Sequence, residues 1–124
     1  LLILSKQIKI EKGLIVPVLD ARRDEVYSAV YDSKYNLIQE EKPEIINKDS
    51  FKQLLKDDKL HLIGSGQEKC KYLLLKNSNL IFLNNNSYPS SKEMALLSYK
   101  KFTNSDFEDL AYFEPAYLKN FVLN

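Results

Sequence analysis

Residues 14–32 read LIVPVLDARRDEVYSAVYD, and the change of pattern along them decides the fold. Leu14 to Leu19 is a short, nearly unbroken apolar run, as expected of a strand covered on both faces. Pro17 falls inside it and has no N–H to donate, so one edge of that strand must be unpaired or irregular there. From Glu25 to Tyr31 the residues alternate. Val26, Ser28 and Val30 lie on one face and Glu25, Tyr27, Ala29 and Tyr31 on the other, which is the period of a second strand. Asp20-Ala21-Arg22-Arg23-Asp24 between them is short enough to force an antiparallel hairpin and too charged to be buried.

Working outward, Asp32 to Asn36 is a turn and Leu37 to Ile46 a third strand, which Pro43 places at a sheet edge. Asp49 or Ser50 is placed to cap a short helix carrying Phe51, Leu54 and Leu55 and ending near Asp57-Asp58. Leu60 to Ile63 is a fourth strand, broken by Gly64-Ser65-Gly66. Cys70, Leu73 and Leu74 mark the inner face of a second helix from Gln67 to Lys76, and Leu80 to Leu83 is a fifth strand. After a polar loop at Asn84 to Pro89, Ser90 and Glu93 form a capping-box pattern opening a third helix, with Met94, Leu97 and Phe102 as its buried stripe beside Ser98. The remainder holds LAYFEPAYLKNF at 110–121, for which periodicity is silent; we expect it to be extended and packed on the domain. At the other end, Leu1, Leu4 and Ile8 fall on one side of what reads as the end of an apolar helix, with further residues expected upstream.

Three hairpin-linked strands make a meander. A right-handed helical crossover then lays the fourth strand parallel to the first. The predicted fold is therefore α/β and ribonuclease H-like: a five-stranded mixed sheet in order 3-2-1-4-5 with three helices, as in the lobes of the actin, sugar kinase and Hsp70 superfamily.

Composition narrows the function. Lys and Arg number 18 against 17 acidic residues, and a net charge of +1 in 124 residues marks neither a general polyanion binder nor an acidic tail. Any nucleic-acid contact must be a local patch. A single cysteine, Cys70, excludes an intrachain disulfide and a cysteine-based zinc site and fits a reducing cytosol. No apolar run approaches the length of a transmembrane helix, so we expect a cytoplasmic protein without membrane contact.

The carboxylates are too scattered for a nuclease, which needs several converging on two metal ions: Asp20 ends its strand and the fourth strand runs into Ile63-Gly64. We expect no catalytic residue and no metal site. Gly64, Ser65 and Gly66, between strand and helix, are a possible phosphate loop, but they lack the P-loop lysine and the third glycine of the dinucleotide fingerprint, which favours a tight turn. His61 in an apolar strand reads as a packed residue, and Cys70 as an inert buried one. Arg22 and Arg23 have two readings: salt bridges within the hairpin to Asp20 and Asp24, or binding to nucleotide, RNA phosphate or protein. The eight tyrosines suit strand packing better than base stacking.

At residues 14–32 the chain resembles the bacterial tRNA threonylcarbamoyladenosine biosynthesis protein TsaB (YeaZ) family. The spacing of Asp20-Ala21-Arg22-Arg23, Glu25-Val26-Tyr27 and Tyr31-Asp32 carries the likeness. Glu114-Pro115-Ala116-Tyr117-Leu118-Lys119 is similar to that family's C-terminal signature, and the glycine turn and the helix at Ser90 fall where the family has them. Many members have glycine where this chain has Asp24. The resemblance implies that residues 1–10 end an interlobe helix and that residues 11–124 form the C-terminal ribonuclease H-like lobe. It implies a noncatalytic subunit of the machinery that modifies tRNA, paired with the catalytic subunit TsaD and joined by the ATPase TsaE. ATP and metal belong to those partners, and tRNA is met through the complex. The partner- or RNA-binding residues it implies are Asp20, Arg22, Arg23, Glu25, Tyr27, Glu114, Pro115, Tyr117 and Lys119. TsaD pairing is expected mainly through a first lobe, and an exposed N-terminal helix end at Leu1, Leu4 and Ile8 would invite self-association. The other classes open to such a chain are an actin-like nucleotide-binding phosphotransferase or ribonuclease H-like nuclease lobe, and a protein interaction module unrelated to tRNA.

Overall fold

The computed structural model describes residues 1–74, 77–83 and 88–119. β1 (Leu14–Asp20), β2 (Glu25–Asp32), β3 (Leu37–Ile45), β4 (Leu60–Ile63) and β5 (Leu80–Phe82) form one sheet in the order β3-β2-β1-β4-β5. β1 runs antiparallel to β2 and parallel to β4, and β5 continues parallel to β4. The ribonuclease H-like arrangement expected from the strand and helix order is the one observed.

Both prolines within strands sit where their missing donor costs least. Pro17 keeps its place opposite Ile63 of β4, and the β1–β2 ladder skips from Ile15 to Val18 around it. Pro43 lies on β3, the sheet edge, where the β2–β3 register also shifts twice beside Val30.

The sheet is covered on both sides. On one face Val16, Val18, Val26, Val30, Leu60 and Leu62 pack with Cys70 and Phe51 beneath α2 (Leu54–Asp57) and α3 (Gln67–Leu73). On the other, Ile15, Ala29, Tyr31 and Ile63 pack with Leu4 of α1 (Leu2–Ser5), while Leu1, Leu2, Ile8 and Ile10 lean against them. β2 is thus buried on both faces over Ser28 to Tyr31. The expected apolar patch at Leu1, Leu4 and Ile8 is corrected by this packing. Leu4 has no exposed surface, because the second sheet face offers it an apolar seat.

Other expectations are corrected. The first helix begins only at Leu54, since Phe51 takes a left-handed φ of 58° to bury its ring; Ser50 instead closes a turn, accepting from the Asn47 N–H at 3.0 Å. α4 (Ser91–Thr103) opens at Ser90 as expected, but the capping box is not formed: the Ser90 hydroxyl makes no cap bond to the backbone and donates instead to the Glu93 carboxylate, holding the Glu93 pKa below its ordinary value. Yet no residue of α4 is buried: Met94 is 51% and Phe102 65% exposed, because among the described residues its chief neighbouring element is the short α1. Residues 104–119 are irregular and exposed throughout rather than packed. The second helix ends at Leu73, with Leu74 already extended, short of the expected Lys76; most of the Asn84 to Pro89 loop and the close of the aromatic segment at Asn120-Phe121 lie outside the described residues.

Candidate functional site

The C-terminal ends of β1 and β4 meet at one edge of the domain, and most of the residues singled out from the sequence gather there. Gly64 takes φ 119°, which side chains resist, and a Cβ on it would stand 2.3 Å from the Val18 carbonyl. Glycine is therefore required by a close approach. The Gly66 N–H donates to the Val18 carbonyl at 3.0 Å, the Gln67 N–H to the Gly64 carbonyl at 3.2 Å, and the Ser65 hydroxyl accepts from the Asp20 N–H at 3.1 Å. With these donors turned on the protein itself, Gly64-Ser65-Gly66 is a tight turn stitched to β1. That is not the geometry of a phosphate cradle.

Ser65 ties down one side of the hairpin and Lys69 the other. The Lys69 ammonium donates to the carbonyls of Ala21 at 2.6 Å and Glu25 at 2.8 Å and pairs with the Asp20 carboxylate. Those three acceptors match its three protons. The loop closes further through the Ala21 N–H on the Glu25 carbonyl at 3.0 Å and the Ile46 N–H on the Asp24 carbonyl at 2.7 Å. Within it Arg23 takes a left-handed φ of 60°, a conformation that costs a non-glycine residue about 1 kcal/mol. The strain falls on Arg23 and not on Asp24, the position where the resembled family often has glycine.

Arg22 and Arg23 are exposed and make no ion pair among the described residues. This overturns the reading of a hairpin salt-bridged within itself, because Lys69 has taken the Asp20 carboxylate. Lys69 was not foreseen. No local pattern marks it, since its partners lie 44 and 48 residues away in sequence.

On the α1 side of the sheet the C-terminal segment crosses the same hairpin. Lys119 pairs with the Glu25 carboxylate, and Ala116, Tyr117 and Leu118 stand with Leu19, Tyr27 and Glu41 around an open cavity of about 330 Å³. Glu25, Tyr27, Tyr117 and Lys119 are thus brought together, whereas the Asp20 carboxylate is turned to Lys69 of α3 and Arg22 and Arg23 stand at the adjoining tip. Glu114 and Pro115 are exposed and do not line the cavity. Beside it Tyr31 has its pKa pushed up to about 12 by burial and by the nearby Glu41 carboxylate.

The nucleophile candidates lie elsewhere. Burial pushes the Cys70 thiol up to about 12, far from reactivity at neutral pH. Burial also lowers the His61 pKa, favouring the neutral ring. Among the described residues no group of three or more His, Cys, Asp or Glu side chains is placed to hold a metal ion. No helix among them is long and apolar enough to cross a membrane.

No family model matches this sequence, and a search of curated proteins finds no match. Solved structures do match. An uncharacterized protein with similarity to peptidase YeaZ from Pseudomonas aeruginosa superimposes with a TM-score of 0.74 over 96% of this chain, at 17% identity. YeaZ from Pseudomonas aeruginosa does so with a TM-score of 0.63 over 94%, at 18% identity. The fold is that of YeaZ. The chain spans 56% of the length of each of these structures. Peptidase is said there of the relative.

Proposed function

We infer that this chain forms the C-terminal lobe of a TsaB-type subunit, a noncatalytic member of the cytoplasmic complex that places threonylcarbamoyl on tRNA adenosine. What carries the reading is that 96% of the chain follows a YeaZ-like fold, while the residues resembling that family, Asp20 to Asp32, form the hairpin at the one edge where loop, helix and C-terminal segment converge. In this role the lobe supplies contacts rather than chemistry. TsaD carries metal and nucleotide, TsaE joins the pair, and Arg22 and Arg23 are contact residues left unpaired for a partner.

Reconstitution tests it. The full protein, added to TsaD, TsaE, a threonylcarbamoyl donor and unmodified tRNA, is expected to restore modified adenosine measured by nucleoside mass spectrometry. Modification at full rate without it, or none with it, overturns the assignment. The isolated protein should show no peptidase, nuclease or ATPase activity with magnesium or zinc, and activity lost on Asp20→Ala would overturn the noncatalytic part.

A further inference from the structure

The Lys69 ammonium uses its three protons on the neck of the β1–β2 hairpin: two backbone carbonyls and the Asp20 carboxylate. Its side chain is only 17% exposed, so it is built into the domain and not a solvated charge that strays onto a loop. The turn it holds needs holding. Arg23 sits at φ 60°, a backbone region an arginine leaves readily unless its surroundings fix it, and the Asp24 carbonyl is pinned separately by the Ile46 N–H. Two unpaired guanidinium groups therefore rise from a backbone that is fixed from both sides.

We propose that Lys69 is a positioning residue that sets the Arg22–Arg23 turn in the shape that docks on an acidic protein surface of the complex. The inference rests on the assignment made under Proposed function. The partner is a protein and not RNA because the tip carries mixed charge. With Asp20 neutralised by Lys69, the exposed charges at the tip are Arg22, Arg23 and Asp24. A phosphate backbone would meet Asp24 as a repulsion, whereas a protein surface can set carboxylates opposite the guanidinium groups and a cation opposite Asp24. Guanidinium forks held at a fixed angle gain most from planar carboxylates, and fixing them beforehand removes ordering cost from binding.

The test is a double-mutant cycle in the full protein, titrated against a purified TsaD–TsaE mixture and, separately, an unmodified tRNA transcript. Arg22→Ala with Arg23→Ala should weaken binding to the protein mixture by roughly tenfold, and Lys69→Met, which keeps the apolar stem, by a similar factor. Combining them should weaken it no further, since Lys69 acts through the arginines. Lys71→Met on the same helix removes an equal charge from an exposed site and should leave affinity unchanged. Amide exchange at Arg22 to Asp24 should rise in Lys69→Met. If the arginine pair weakens binding but Lys69→Met does not, or if the two effects add, Lys69 is a structural residue and the proposal falls. If the arginine pair has no effect on either probe, the turn has no partner and the contact reading of the site falls with it. Loss confined to the tRNA probe overturns the choice of a protein surface.

Discussion

The sheet and the C-terminal third spend similar residues to opposite ends. Val16, Val18, Leu60 and Leu62 are wholly buried, while Leu96, Tyr99, Phe102, Leu110 and Tyr112 are each more than 60% exposed. The difference does not lie in apolar content. An interior strand such as β1 or β4 has neighbours on both edges and layers on both faces, so its apolar side chains meet surfaces supplied by distant sequence, whereas edge β3 leaves Ile38 and Ile45 more than half exposed. Among the described residues α4 has as its chief neighbour a four-residue helix. An apolar residue is stabilising only where something covers it, and coverage is a property of the fold, not of the residue.

That contrast is most easily broken in the sheet itself. Leu62→Ala, a fully buried side chain of β4, should destabilise the protein by about 2 to 5 kcal/mol, whereas Leu96→Ala on α4 should change stability by less than about 0.5 kcal/mol. Urea unfolding of the two variants measures both, and equal losses would mean that α4 has a covered face after all. Next in size is Gly64→Ala. The added Cβ would meet the Val18 carbonyl at 2.3 Å and Leu4 Cδ2 at 2.6 Å in a backbone conformation alanine avoids, so a loss of about 1 to 3 kcal/mol is expected. Because Leu4 sits under that glycine, proteolysis near α1 should quicken in the same variant.

The same contrast explains what could be read from the sequence. β1 and β2 were legible as strands, β1 from its unbroken apolar run and β2 from its alternation, although that alternation did not foretell that β2 is buried on both faces over Ser28 to Tyr31. Sheet order followed from element order and from Pro43. The stripe on α4 was misleading, since helical spacing shows which residues share a face and not whether anything lies against it. The helix start at Ser90 was legible because its signal is local, while Phe51 defeated the other helix start because its left-handed backbone is imposed by burial of the ring. Within the site, the arginine turn stood out as charge between two strands. Its supports did not: Lys69 and Lys119 reach it from 44 and 94 residues along the chain, beyond any local pattern.

A pH effect of intermediate size sharpens the account of the buried face. Tyr31 has a folded pKa of about 12 against an ordinary 10.0, so the folded state holds its phenolic proton more tightly than the unfolded state does. The contribution is complete below the unfolded value and disappears as pH rises from 10.0 to about 12, where the folded chain binds more protons than the unfolded one. Stability should therefore fall over that window, and Tyr31→Phe should flatten the fall relative to the parent. An unchanged slope would mean that the tyrosine is solvated in the folded protein.

The smallest expected effect concerns a seam between the two regions. Lys119 pairs with Glu25 at the hairpin base, and the Gln7 side-chain amide donates to the Tyr88 carbonyl at 2.7 Å ahead of α4. Lys119 is half exposed, so its pair should contribute less than about 1 kcal/mol, and Lys119→Ala should barely move the urea midpoint. Its effect should appear locally. Without that anchor, Ala116 to Leu118 lose their hold over Leu19 and Tyr27, and limited proteolysis of residues 104–119 should accelerate while cleavage of the sheet does not. Raising salt should reproduce part of that change in the parent by screening the pair, and should do nothing further to the variant. If Lys119→Ala instead lowers global stability as much as Gly64→Ala, the C-terminal segment is part of the cooperative core, and the division drawn between the two regions is wrong.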